Sequence, residues 1–317
     1  MSFSLLENKV SQALRKKNYE NALALYLEMY DQQLLVESLR ATQYAQHLVN
    51  AASLARKKLY DMCQADLTVS IRFQRAVEMY LGATPRVYSN KLQKPNFFHM
   101  PDLPSKPFYD IPEIPGLQKL YDDLKNQKQL IEFASKLEKQ SYVDVIGNTP
   151  KEDRWQSLKG ENWGSRHLLK AGAKVPIPEL DTTEFVNCFA NSCVPDCPPH
   201  APEVFISQLL PSIEIPPHFG VSNIKLTAHL PIQVNSGCYL EVGNEKRYWD
   251  DDVEGIVFDD SYIHSAGNLG KQSRTVLIFD VWNPNLQQEE KQAIRNFMRN
   301  HHEWSNSYGK MAALDKR

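Results

Sequence analysis

The chain has 317 residues, more than one domain usually holds, so two domains or one domain with a substantial extension are expected. Lys plus Arg number 36 and Asp plus Glu 38, giving a net charge of −2 with signs mixed along the chain, which excludes the electrostatic footprint of a dedicated nucleic-acid or anionic-membrane binder. No apolar run near the N-terminus approaches the roughly 20 residues of a membrane span. The first residues lack a basic segment leading into an apolar stretch, and the 5 cysteines are an odd count, so a soluble, cytoplasmic protein with reduced thiols is expected.

Residues 3–84 contain a single glycine, Gly82, and carry helical periodicity throughout. Leu6, Val10 and Leu14 line one face of a first helix, and Ala22, Leu23, Tyr26 and Tyr30 line that of a second, with Lys16–Tyr19 as the turn between them. A helical bundle over 1–84 follows, loosely like a tetratricopeptide hairpin but without a second copy at a fixed period. Its expected role is packing or partner docking.

From 85 to 115 the prolines Pro85, Pro95, Pro101, Pro104, Pro107, Pro112 and Pro115 preclude a continuous helix, while Phe97, Phe98, Phe108 and Tyr109 supply apolar anchors. A packed, extended linker is expected. Helical spacing returns over 116–140 with Leu117, Leu120, Tyr121 and Leu124. Beyond it come short strands rich in Val, Ile, Leu and Phe, at 204–210, 224–231, 237–242, 255–259 and 274–281, spaced by turns about every ten residues as in a sandwich or jelly roll. A last helix over 287–301, begun after Pro284, presents Ala293, Phe297 and Met298.

Cys188, Cys193, Cys197 and His200 lie close together, yet their spacing does not match a two-residue cysteine knuckle, and Pro195, Pro198 and Pro199 indicate an irregular loop. They are read as loop cysteines. Two other histidines are better placed for a metal. His218, in Ile215-Pro-Pro-His-Phe-Gly220, and His264, in Phe258-Asp-Asp-Ser-Tyr-Ile-His264, each sit near a strand end, where a side chain can point into the mouth of a barrel, and imidazole suits iron. Ten residues after His264, Arg274 opens the apolar strand Thr275–Phe279, and a guanidinium inside such a barrel needs a carboxylate. A dicarboxylic cosubstrate or a salt bridge to Asp259 or Asp260 would supply one.

Residues from about 200 to 290 resemble the catalytic domain of the aspartyl/asparaginyl β-hydroxylases, which are Fe(II)- and 2-oxoglutarate-dependent oxygenases. The matching signatures are Phe205-Ile-Ser207, Pro217-His-Phe-Gly220, Ser222-Asn223, His229-Leu-Pro231, Val242-Gly-Asn-Glu245, Trp249, Phe258-Asp-Asp-Ser261, His264, Arg274 and Phe279-Asp-Val-Trp-Asn-Pro284. The resemblance implies an α+β fold in which a C-terminal double-stranded β-helix (jelly roll, cupin-like) with flanking helices spans 116–317 after the all-α segment. It implies O2-dependent hydroxylation with iron held by His218 and His264. The residue two after the first histidine is an acid in more distant relatives and Gly220 here, which leaves that position to water.

By the same resemblance Arg274 and Ser207 would bind the distal carboxylate of 2-oxoglutarate, His229 would lie near its chelating end, and Asp260 would contact substrate. Strand periodicity puts Lys225, Thr227 and His229 on one face. Thr227 departs from the family's usual arginine, and Lys225 could restore a positive charge toward the cosubstrate. Ile263, Gly267 and the acidic turn Asp250–Asp252 are further departures at the rim. The expected substrate is a peptide or protein Asp or Asn β-carbon, with a small amino acid, natural product or lipid as an alternative. A degenerate, non-enzymatic binding module is the other rival, and neither nucleic acid nor membrane is expected as a partner.

Overall fold

The computed structural model describes residues 3–35, 45–146, 151–178, 181–249 and 253–316, so the acidic turn at 250–252 lies outside the described residues. Two compact units form, one from Met1–Thr68 with Asn296–Arg317, the other from Val69–Arg295. This corrects the expected boundaries at 84 and 115 in two respects. Helix 71–81 belongs with the β-rich unit, and the end of the chain completes the helical one.

In the helical unit, α1 (Phe3–Arg15) and α2 (Tyr19–Asp31) form an antiparallel pair that buries Leu6, Val10 and Ala13 with Ala22, Leu23, Tyr26 and Met29. The turn between them works because Lys17 takes a positive φ of 54° and the Asn18 side chain caps α2 by accepting from the Asn21 amide. In α3 (Ala45–Met62), Ala51, Ala52, Ala55 and Leu59 are buried. The C-terminal segment docks on this helix: Trp304 donates its indole N–H to the Ala55 carbonyl at 2.6 Å, and Arg56 pairs with Asp315. That docking is why residues after 296 leave the β-rich unit.

The second unit opens with α4 (Ile71–Leu81), capped by Ser70, whose hydroxyl accepts from the Phe73 amide, and closed by Gly82 at φ 73°, a conformation that favours glycine. Two antiparallel sheets follow. The larger runs in the order β1 (Phe108–Tyr109), β10 (Ile256–Phe258), β7 (Lys225–Gln233), β12 (Arg274–Trp282), β5 (Val204–Leu209), β3 (Trp163–Lys170) and β2 (Gln140–Ser141), with β4 (Ala173–Lys174) paired to β3. The smaller is β6 (Ile213–His218), β11 (His264–Asn268), β8 (Cys238–Val242) and β9 (Glu245–Tyr248). The strands cross repeatedly between the sheets, which is the double-stranded β-helix of a cupin-like jelly roll.

Alternation along the strands divides the large sheet into two faces. Leu226, Ala228, Leu230, Leu277, Phe279 and Val281 pack outward with Leu117, Leu120, Tyr121, Leu124 and Ile131 of α5 (Leu117–Asn126) and α6 (Lys128–Lys136), and with Phe185 and Phe189. Phe205, Leu209, Val276 and Ile278 face the other way, against Ile215, Leu240, Val242 and Ala266 of the small sheet. The side chains of the candidate site share this second face, which is the inside of the jelly roll.

The proline-rich segment is packed down by side-chain hydrogen bonds. Asn223 accepts from the Met100 amide and donates to its carbonyl, both at 2.8 Å, and Gln93 donates to Asp259 and Ser261. Its residues Phe108–Tyr109 even form the edge strand beside β10. The strands at 163–170, 213–218, 245–248 and 264–268, absent from the sequence expectations, are interrupted by Pro216, Pro217 and Gly267 or are too polar to read as apolar runs.

Candidate active site

His218 ends β6 and His264 begins β11, and the two are direct cross-strand partners. The pairing contains an irregularity: His264 and Ala266, two residues apart, oppose His218 and Ile215, three apart. The extra residue turns His218 to the same inner face as Ile215, which strict alternation would forbid. The imidazole centroids lie 4.1 Å apart at 52°.

Each ring is oriented in the same way. His218 donates from Nδ1 to the Pro216 carbonyl at 2.8 Å, and His264 donates from Nδ1 to the Tyr262 carbonyl at 2.9 Å. Nδ1 is therefore the protonated nitrogen in both, which leaves Nε2 as the atom through which each ring could ligate. Burial, joined by the neighbouring His264, pushes His218 down to about 3, and burial pushes His264 down to about 4. Neutral imidazole, the form that ligates, prevails at neutral pH. Trp155 packs against His218 with centroids 5.4 Å apart at 80°, a support the sequence had not suggested.

Among the described residues no group of three or more His, Cys, Asp or Glu could hold a metal, so the two imidazoles stand without a third protein donor. At Gly220 a Cβ would lie 2.3 Å from Cγ of Asp260, and the Gly220 amide donates to the Asp260 carbonyl at 2.7 Å. Asp260 thus fills the volume that a side chain at 220 would need. One of its oxygens, Oδ1, is buried without a hydrogen-bond partner.

Arg274 is 1% exposed, and its Nε and Nη1 have no partner. Burial pulls it down to about 10, so it stays charged. The salt bridge to Asp259 or Asp260 does not form: Asp259 is hydrogen-bonded by Gln93, Ser105 and Ser261, and Asp260 by Lys225. An isolated buried guanidinium is strongly unfavourable, and an anionic ligand would relieve it. Beside it, β5 and β7 flank β12 and bring Ser207 opposite Val276 and His229 opposite Ile278. Ser207 Oγ accepts the Trp163 indole N–H at 3.2 Å, leaving its own hydroxyl hydrogen to donate. His229 lies parallel to Trp249, with centroids 6.3 Å apart, and edge-on to Phe258, its Nδ1 without a partner, and burial and then Arg274 hold it well below the usual histidine range.

Lys225 is placed otherwise than expected. Its ammonium contacts Asp260 at 2.9 Å and Asp280 at 2.8 Å, and Thr227 donates to Asp280 at 3.2 Å. These attractions outweigh burial and raise its affinity for the proton. With two carboxylates already on it, Lys225 has no charge left for a cosubstrate carboxylate. The reason is register: Asp280 is the direct β12 partner of Thr227, which sequence periodicity within one strand does not reveal. Gly267 also has a structural explanation, because a Cβ there would strike the ring of its cross-strand partner Tyr239 at 2.3 Å. Cys193 and Cys197 are free thiols pushed up by burial to about 11 and about 12.

A jelly roll with two cross-paired histidines and an interior arginine without an acidic partner is a cupin-like fold. Residues 121–284 match the family described as Aspartyl/Asparaginyl beta-hydroxylase, over half of the chain, and the chain belongs to that family. It is 29% identical over 237 residues to human Aspartate beta-hydroxylase domain-containing protein 2, covering 68% of this chain and 56% of that protein. With mouse Aspartate beta-hydroxylase domain-containing protein 1 it is 26% identical over 240 residues, 70% of this chain and 61% of the relative. The chain thus spans somewhat over half the length of these relatives. A solved oxidoreductase of the 2OG-Fe(II) oxygenase family from Burkholderia pseudomallei shows a weak likeness, with a TM-score of 0.27 at 14% identity over 44% of this chain and 76% of that one. No helix among the described residues is long and apolar enough to cross a membrane.

Proposed function

We propose that this chain is an Fe(II)- and 2-oxoglutarate-dependent oxygenase that hydroxylates a C–H bond of a peptide or small-molecule substrate, the β-carbon of an Asp or Asn residue being the position the family's name denotes. One observation carries the reading: two neutral, cross-paired imidazoles, each oriented through Nδ1 by a backbone carbonyl, sit in the same jelly-roll interior as an arginine that has no acidic partner. A metal answers the first need and a dicarboxylate the second.

When bound, iron and 2-oxoglutarate supply the oxidising chemistry, in which O2 and the keto acid yield succinate, CO2 and a hydroxylated substrate. The chain's own residues position and enclose. His218 and His264 would hold the metal through Nε2 while the Pro216 and Tyr262 carbonyls fix their rings. Arg274 and Ser207 would receive the far carboxylate, and His229 would border the near end. Trp155, Trp163, Trp249 and Phe258 would keep water away. A binding module without chemistry is the poorer reading, because it gives no role to a matched pair of ring tautomers.

The test is an anaerobic titration with Fe(II) and 2-oxoglutarate followed by O2-dependent succinate formation. The metal-to-oxoglutarate absorption band is expected in the wild-type chain and absent in His218→Ala and in His264→Ala. A band of full intensity in either variant would overturn the ligand assignment.

A further inference from the structure

Charge is unevenly available inside the jelly roll. Among the described residues, the cations Arg274 and Lys225 face the interior between the sheets. Under the function proposed above, on which the present inference rests, Arg274 is taken by the cosubstrate. Lys225 lies between Asp260 and Asp280, and Thr227 gives Asp280 a further hydrogen bond. One ammonium is matched by two carboxylates, so that wall has no spare positive charge. It has nothing with which to bind another anion.

The same wall has an unmet need of the opposite kind. Asp260 Oδ1 is buried and accepts no hydrogen bond, while the carboxylate that carries it fills the space beside Gly220, two residues from His218. A buried carboxylate oxygen requires a donor. A substrate carboxylate has no hydrogen to give and would bring acceptor against acceptor and like charge against like. A carboxamide or hydroxyl provides the N–H or O–H without adding charge.

We infer that the substrate presents an uncharged, hydrogen-bond-donating group of the carboxamide or hydroxyl class to Asp260, and that this wall discriminates against an acidic side chain at the reacting position. Thr227 and the Asp260–Lys225–Asp280 trio are its specificity-determining residues. Between the two members of the family's named pair, the asparagine-like amide fits and the aspartate does not.

The test uses the full chain loaded with Mn(II) and 2-oxoglutarate under argon, titrated calorimetrically with N-acetyl-L-asparagine amide and N-acetyl-L-aspartate amide. The asparagine compound is expected to bind at least ten-fold more tightly. Thr227→Arg adds a cation, and Asp280→Asn, a nearly isosteric change, frees part of the charge of Lys225; each is expected to improve aspartate binding at least five-fold. Tighter binding of the aspartate compound by the wild-type chain would overturn the inference. So would the absence of any gain in both variants, including the case in which the wild-type chain binds neither compound. Loading with 2-oxoglutarate is measured first, and its failure tells against the proposed function alone. The comparison is then made in Arg274→Gln, where the other buried cation is gone and this wall is read by itself.

Discussion

Two ends of one sheet surface handle buried positive charge in opposite ways. At the start of β12, Arg274 is enclosed with two of its nitrogens unmatched, while near the end of the same strand Asp280 joins Asp260 in holding Lys225. Both cations sit in the interior face of one jelly roll, so burial costs both, and only one is compensated from within the chain. The difference separates a cation left open to a ligand, as proposed for Arg274, from one matched inside the fold. An arrangement that leaves a guanidinium unpaired is unstable by itself and gains from whatever anion enters.

The sharpest way to break this comparison is to replace each cation by methionine. Lys225→Met leaves Asp260 and Asp280 buried without their counter-ion and should destabilise the β-rich unit by about 3–5 kcal/mol. Arg274→Met removes an uncompensated charge and should stabilise the ligand-free chain by about 1–2 kcal/mol. Urea unfolding followed by tryptophan fluorescence reads this unit, since Trp155, Trp163, Trp249 and Trp282 lie within it. Equal losses in both variants would mean that Arg274 is a structural group like Lys225.

With ligand present the order of importance reverses. Arg274→Gln should weaken 2-oxoglutarate by roughly 2–4 kcal/mol, or about 30- to 1000-fold, because the distal carboxylate loses its charged partner. Iron affinity should change less than about three-fold, since no histidine is disturbed. Parallel loss of iron and cosubstrate, measured by separate titrations, would tie the arginine to the architecture of the site and not to the dicarboxylate.

Acid sharpens the contrast from the histidine side. His218 and His264 titrate near 3 and 4 in the folded chain and at 6.5 when unfolded, so below 6.5 the unfolded chain binds more protons and folding weakens as pH falls. Each histidine should cost about 1.4 kcal/mol one pH unit below its unfolded value. A urea midpoint falling between pH 6.5 and 4.5, and falling less in His264→Gln, is the expected signature. Metal affinity in the folded chain should instead change little over that window, as both histidines are still mostly unprotonated there.

How far the sequence was legible follows from what each feature depends on. The jelly roll, both histidines, Arg274 and Gly220 were readable because they lie in local motifs with distinctive neighbours, such as Pro217-His-Phe-Gly220. The fate of Lys225 was not, because it is settled by the pairing of Thr227 with Asp280, 53 residues away, and by a turn carrying Asp260. Trp155 gave no signal either, since its contact with His218 joins a four-residue helix to a distant strand. The domain boundary failed for the same reason: Trp304 and Asp315 find their partners on α3, some 250 residues earlier. Local pattern points to the candidate site groups, whereas register and long-range packing decide which charges remain available.

The finest distinction concerns the groups around Arg274. Ser207 accepts the Trp163 indole hydrogen and keeps its own hydroxyl hydrogen for the anion that Arg274 is proposed to bind, so a cosubstrate carboxylate should lean on it for one neutral hydrogen bond. Ser207→Ala removes that donor and should weaken 2-oxoglutarate by about 1 kcal/mol, close to five-fold, with the metal affinity unchanged. It also leaves the Trp163 N–H buried without an acceptor, which should lower stability by a further 1–3 kcal/mol, on the order expected for an orphaned polar group. The two effects separate by titration of the folded variant. Lost stability with unchanged cosubstrate affinity would make Ser207 a partner of Trp163 alone and leave Arg274 as the sole anchor of the distal carboxylate.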